Sequence, residues 1–267
     1  MGGASLTATS HHDTYDFIKP SQFDLKGKVA VVSGASYGIG RTIAVSLTQA
    51  RISGIVLLAR GSLADTEAAI EAAARSTGLD KPTLLSLKVD VTDANPVQQA
   101  AEKVKEQWPE GIDIVISNAG WLEPEKFITE SDPEDWWSSL AINLKGPYLV
   151  GRSFIPLLLQ KQDGLKTILN MVSIGAHMIF PGMSAYNTAK VALCRLTEYE
   201  DAEYAEKGLV AISMHPGGVM TNMGLRLPPE KQKMLTDTPE LVSDTTVWCT
   251  AQRREWLSGR YVSVQWW

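Results

Sequence analysis

Residues 29–33, VAVVS, run directly into GASYGIG, and the helix-forming stretch RTIAVSLTQA follows. A continuous β-branched apolar run suits a strand buried on both faces of a parallel sheet. Gly34, Gly38 and Gly40 then give the spacing G-x-x-x-G-x-G, with no side chain where backbone must approach a pyrophosphate. The helix opening behind them offers unpaired N–H groups and the positive end of its dipole to an anion. A lone glycine triplet would describe an ordinary tight turn; its place as the first βα turn of a long alternating chain turns the reading toward a nucleotide.

That alternation runs on. GIVLLAR, TLLSLKVD, IDIVISNAG, KTILNMVS, LVAISMHPGG and RYVSV read as further strands, separated by helices such as DTEAAIEAAARSTG and ANPVQQAAEKVKEQW, and a long helix is expected from about Asn143 to Gln160. Strands alternating with helices of ten or more residues imply right-handed crossovers and a doubly wound parallel sheet of about seven strands. One α/β domain over residues 26–267 is expected. Residues 1–25, rich in Ser, Thr, Gly and Asp and without periodicity, read as a flexible extension, with His11 and His12 a solvated pair rather than metal ligands.

Composition narrows the function. With 267 residues, 44% hydrophobic and 21% charged, the chain has enough apolar surface for a sizeable core. A net charge of −5 with scattered Lys and Arg argues against a nucleic-acid surface. The two cysteines, Cys194 and Cys249, supply neither a disulfide framework nor metal-ligand spacing. No apolar run reaches about 18 residues and no basic-then-apolar leader opens the chain, so the sequence predicts neither membrane span nor secretory signal, and a cytoplasmic protein.

The chemistry lies in SAYNTAK. On a helix, Tyr186 and Lys190 share one face, placing the ammonium beside the phenol. A nearby cation is expected to lower the tyrosine from about 10 toward a working range. Ser173, thirteen residues upstream in LNMVS, would hold the substrate oxygen. At the end of the second strand, Ala59 is followed by Arg60, with no carboxylate before Asp65. An arginine there faces a 2′-phosphate, favouring NADP(H) over the alternative NAD(H). The competing reading leaves Arg60 over the adenine or in solvent, and Tyr37 adds no second positive charge.

SGASYGIG, Asp90-Val91, SNAG, Asn143, Ser173, YNTAK and HPGGVMT, in this order, resemble the short-chain dehydrogenase/reductase family over about Leu25 to Val264. The resemblance implies a single Rossmann-type domain. It implies that Gly34, Ser36, Tyr37, Gly38, Ile39 and Gly40 line the cofactor phosphates and ribose, and that Asp90 and Val91 meet the adenine. Asn118, Ala119 and Gly120 would border the ribose, and Pro216, Gly217, Val219 and Thr221 the nicotinamide carboxamide. Asn143, Ser173, Tyr186 and Lys190 would form the catalytic tetrad, Lys190 also bonding the nicotinamide ribose and Asn143 holding a water that links Lys190 to solvent. A homodimer or homotetramer is implied, with the helix from about Asn143 as interface. The ending SVQWW departs from the glycine-rich tail of many members and leaves open whether Trp266 and Trp267 meet a partner subunit or mark a truncated chain.

Substrate contacts are expected from the loops at the carboxyl ends of the strands. Trp121, Met178, Phe180, Met183 and Met223, with Ser173 and Tyr186, are the candidate walls, and they suit a hydrophobic carbonyl or alcohol better than a sugar. His177 reads as a hydrogen-bonded spectator, His215, before a Pro-Gly turn, as structural, and residues 221–239 as a mobile lid. Three functions fit: ketone–alcohol interconversion with Tyr186 as proton donor or acceptor, non-redox isomerisation or dehydration in the same site, and nucleotide binding without turnover.

Overall fold

The computed structural model describes residues 7–266. Seven strands, β1 (Val29–Ser33), β2 (Gly54–Ala59), β3 (Thr83–Lys88), β4 (Ile114–Ser117), β5 (Thr167–Met171), β6 (Val210–His215) and β7 (Arg260–Ser263), form one sheet in the order β3-β2-β1-β4-β5-β6-β7. Every pairing is parallel. All seven expected strands are present, and all five residues of β1 are buried.

Strand pleating divides the core in two. Ala30 and Val32 point to the face covered by α1 (Gly38–Gln49), α2 (Ala64–Thr77) and a later helix, α8 (Pro239–Thr250). Val29 and Val31 point to the opposite face, covered by α3 (Ala94–Gln107) and α5 (Gly146–Gln160). Period-2 alternation thus gives each face its own apolar layer. Strand order reverses between β1 and β4, which opens a crevice at their carboxyl ends.

Three expectations change. The helix expected from Asn143 is the last part of a longer run: α4 (Pro133–Leu140), a π turn at Ala141–Lys145, then α5. Asp132 caps α4 by accepting the N–H groups of Glu134 and Asp135. The stretch between β6 and β7 contains α8, whose residues from Leu241 to Thr250 are all buried, so it has no polar stripe to reveal a helical period. Its Thr245, Thr246 and Thr250 hydroxyls donate to carbonyls four residues back, satisfying themselves inside the core.

The third change concerns the extension. Residues 7–25 pack on the domain: Ile18 and Leu25 are fully buried, and two 3₁₀ turns, Asp16–Ile18 and Pro20–Gln22, shape the path. A segment with two deeply buried aliphatics is not the flexible tail its composition suggested; residues 1–6 lie outside the described residues. Among the described residues, no helix is long and apolar enough to cross a membrane, and no cluster of metal-ligating side chains forms.

Between α5 and α8 the chain continues through α6 (Ser184–Tyr204) and a short α7 (Pro229–Gln232). Of these, α6 bears the reactive residues.

Candidate active site

Tyr186 and Lys190 do share one face of α6: the Lys190 ammonium lies 5.4 Å from the centre of the Tyr186 ring. Ser173, two residues beyond the end of β5, stands near enough to the Tyr186 phenol to favour its ionised form. Its Oγ also accepts the Gly175 N–H at 3.1 Å, so the serine is held by its own turn. The next residue, Ile174, donates its N–H to Nδ1 of His215 at 3.1 Å. Burial pushes His215 down to about 4, which keeps that nitrogen free to accept. His215 is thus structural in a specific sense: it anchors the loop that presents Ser173. His177 lies edge-on against Tyr261, ring centres 4.3 Å apart.

The electrostatics differ from the expectation that Lys190 draws Tyr186 down. Burial pushes the phenol up to about 12; Ser173 pulls the other way and the Glu123 charge adds to the rise. Burial pushes Lys190 down to about 8, and its ammonium donates to the Met171 carbonyl at 2.8 Å. Both groups are desolvated together, so the loss of water around the phenol outweighs the cation one turn away. A proton is held firmly on Tyr186, the state a proton donor requires.

Asn143 is fully buried in the π turn. Its Nδ2 donates to the carbonyls of Trp121 (2.6 Å) and Ser139 (2.9 Å), and its Oδ1 accepts the Trp121 N–H at 3.3 Å. The side chain therefore fixes the segment after β4; its polar atoms are engaged with backbone rather than free to order a water toward Lys190. Gly120 stands between Asn143 and Met223, where an added Cβ would be 3.2 Å from Asn143 Oδ1 and 3.4 Å from Met223 Cε. Trp121 lies beneath Arg226, 5.9 Å from ring centre to guanidinium. Met178 and Phe180 instead line a groove of about 740 Å³ with Phe127, Ile128 and Val191, whose lining includes neither Ser173 nor Tyr186. Met183 immediately precedes α6, where its carbonyl accepts the Asn187 N–H. The expected walls thus divide between two places.

The glycine turn fits a dinucleotide. A Cβ on Gly40 would collide with the Gly34 carbonyl, and one on Gly34, at φ +65°, would sit 2.8 Å from Ala119 Cα. Tyr37, before α1, provides no side-chain cap and is 54% exposed, so the first N–H groups of α1 have no local side-chain acceptor. Ser33 Oγ accepts the N–H groups of Asn118 and Ala119, while Asn118 Nδ2 donates to the carbonyls of Ser33 and Gly34. β1 and β4 are thereby locked at the mouth of the crevice. Ile39 is half-buried against the core, and Arg41 fastens the turn by donating to the Ser36 carbonyl at 2.7 Å.

At the adenosine end, Arg60 is 64% exposed and 3.7 Å from Asp90. Burial alone would raise the Asp90 carboxyl; bonds from Thr92 and the Arg60 charge hold it below the usual range. Val91 is buried against Gly146. At the other end, Gly217 has φ +74°, with Asp237 where its Cβ would be. Thr221 faces Gly38 across the groove, its methyl 3.6 Å from where a Cβ would stand. Pro216 is half-buried, while Val219 bridges to Asp237.

Three residues escaped the sequence reading. Arg41 was hidden among ordinary helix positions. The Asp237 carboxylate, fully buried, accepts from His12 (2.6 Å), the Gly218 N–H (2.6 Å) and Gln265 (2.8 Å), joining the N-terminal segment, the turn after β6 and the chain's end. Trp266 completes that join, bridging to Ser10 and packing on Tyr261; Trp267 lies outside the described residues. Glu123, in the loop after β4, accepts the Tyr186 N–H at 2.9 Å. No local motif marks Asp237 or Glu123, because each acts through partners distant in sequence, and Arg41 reaches back one loop to Ser36 from an unremarkable helix position.

A parallel sheet with a glycine turn at its strand-order reversal, and a Ser–Tyr–Lys group at the carboxyl ends of its strands, defines a dinucleotide-binding α/β oxidoreductase. The family model for short chain dehydrogenases matches residues 28–232. The short chain dehydrogenase mpl6 of Monascus purpureus is 43% identical over 264 residues, covering 99% of this chain and 89% of the relative. The short chain dehydrogenase pigC of Monascus ruber is 39% identical over 268 residues, with 99% and 88% covered. The crystal structure of carveol dehydrogenase from Mycobacterium avium in complex with NAD superposes with a TM-score of 0.79 at 20% identity, covering 91% of this chain and 97% of that one. The chain belongs to the short-chain dehydrogenase/reductase family, which binds NAD(P).

Proposed function

We propose that the protein interconverts a ketone or aldehyde and an alcohol on a hydrophobic small molecule, using NADP(H). The observation behind this reading is the Lys190 ammonium 5.4 Å from the Tyr186 ring on one face of α6, with Ser173 near enough to the phenol to favour its ionised form. A nicotinamide dinucleotide supplies or accepts the hydride when bound. In reduction, Tyr186 donates its proton to the oxygen that gains charge, and Ser173 donates a hydrogen bond to the same atom. Burial keeps the phenol protonated until that charge develops. Lys190, desolvated yet cationic near neutral pH, holds the ribose side of the site and stabilises the phenolate left behind. In the reverse direction Tyr186 takes the alcohol proton.

Arg60 supports NADP(H): an exposed guanidinium closes β2 where a carboxylate would otherwise accept ribose hydroxyls. Trp121 and Met223, beside Gly120 and Asn143, support an apolar substrate. We further infer a cytoplasmic homodimer or homotetramer, joined through the face bearing Tyr148 of α5 and Val191 and Tyr199 of α6, each about half exposed. Titrating NADPH and NADH by fluorescence, then following NADPH oxidation over a panel of hydrophobic ketones, tests the reading. Tighter NADPH binding with turnover of panel members is expected. Tight binding with no oxidation on any member would favour isomerisation or nucleotide sensing.

A further inference from the structure

Glu123 is a buried carboxylate, 7% exposed, that the chemistry above leaves unused. One oxygen accepts the Tyr186 N–H at 2.9 Å and the other accepts the Ser139 hydroxyl at 2.6 Å. Ser139 belongs to α4, and its carbonyl receives Asn143 Nδ2 at 2.9 Å, so one side chain joins the loop after β4, the π turn and the start of α6. Met183, the residue before α6, provides no side-chain cap. The first N–H groups of a helix need acceptors, and here one acceptor arrives from 63 residues away.

We propose that Glu123 is a positioning residue for Tyr186: it caps α6 from outside the helix, fixing where the phenol stands, and brings a carboxylate to the start of the helix that carries it. The charge has no buried cation of its own, since both bonding partners are neutral donors. Groups facing the phenol are Lys190 from α6 and Glu123 from the loop. On the outer side of Glu123, Lys126, Glu130, Asp132 and Asp135 rim a small surface cavity, where water screens them. Of these acidic groups the buried carboxylate acts most on the phenol; burial is the larger influence on Tyr186, and Glu123 adds to it in the same direction.

This rests on Tyr186 as the reacting acid, but its test needs neither substrate nor cofactor. A stopped-flow jump to pH 11, reading phenolate absorbance at 295 nm against matched Tyr186→Phe proteins, isolates the one tyrosine. Glu123→Gln removes the charge and keeps one acceptor oxygen for the Tyr186 N–H, while its amide NH2 faces Ser139, whose hydroxyl can turn to accept. The expected result is about threefold more Tyr186 phenolate at pH 11, because removing the charge takes away one influence that raises the phenol. Equal phenolate in a folded Glu123→Gln protein overturns the proposal. Glu123→Asp keeps the charge but falls a methylene short: phenolate should stay near wild type while exchange of the Tyr186 amide hydrogen rises at least about tenfold. Should Glu123→Gln not fold, this second variant decides, and either an unchanged amide or a threefold phenolate rise contradicts the assignment. A missing ketone reductase activity would leave both readouts intact.

Discussion

Two buried carboxylates stand at opposite ends of the sheet, and they are paired differently. At the amino end, Asp113 precedes β4 with its side chain fully enclosed, accepting the N–H groups of Val29 and Leu165 and the ammonium groups of Lys161 (2.5 Å) and Lys28 (3.4 Å). At the carboxyl end, Glu123 meets only an N–H and a hydroxyl. Two lysines neutralise the first charge, which then ties β1, β4 and β5 together and does little else. The second meets no ammonium and sits at the start of the helix that carries the phenol. The same chemical group is a fastener where cations surround it and a bias on its neighbour where they do not.

Substitutions at each end sharpen the contrast. Lys190→Ala at the carboxyl end should lower ketone turnover by at least about 100-fold, the scale of a lost acid–base contribution, while NADPH fluorescence still reports binding. Asp113→Ala should remove about 4 kcal/mol of stability by urea unfolding, since it breaks buried ion pairs and strands two strand-end N–H groups. The same protein should show unchanged Tyr186 phenolate; a shift there would break the division between the two ends.

His215 gives a third handle. Its folded value, about 4, lies below the ordinary 6.5, so between those limits the unfolded chain binds more protons than the native one. Stability is complete above about pH 6.5 and is lost as pH falls toward 4, by about 3 kcal/mol in all. His215→Asn should flatten that acid slope in urea titrations at several pH values. The smallest effect is expected at Arg60, far from the phenol: Arg60→Ala should weaken NADPH binding roughly tenfold, about 1.4 kcal/mol, and leave NADH nearly unchanged.

What could be read beforehand follows the same division between local and distant determinants. The seven strands were legible because a strand buried on both faces writes a continuous apolar run, as VAVVS does. Tyr186 and Lys190 were legible because one helical turn is a sequence spacing. α8 was not, since a helix buried all round shows no period. The packing of residues 7–25 was hidden too, because the apolar residues Phe17, Ile18, Phe23 and Leu25 follow no period and pack against partners elsewhere in the chain. Glu123 and Asp237 act through contacts 63 and 225 residues away, which no local pattern encodes. The rise of Tyr186 was missed for a related reason: spacing reveals the cation but not the loss of water around both groups.

The most direct measurement is single-turnover oxidation of bound NADPH at 340 nm, with a ketone that wild type reduces, in Tyr186→Phe and wild-type protein of equal NADPH affinity. If Tyr186 delivers the proton, the phenylalanine protein should be slower by at least about 100-fold at every pH between 6 and 9. A Tyr186→Phe protein that consumes NADPH at the wild-type rate would contradict the assignment of the phenol as the acid.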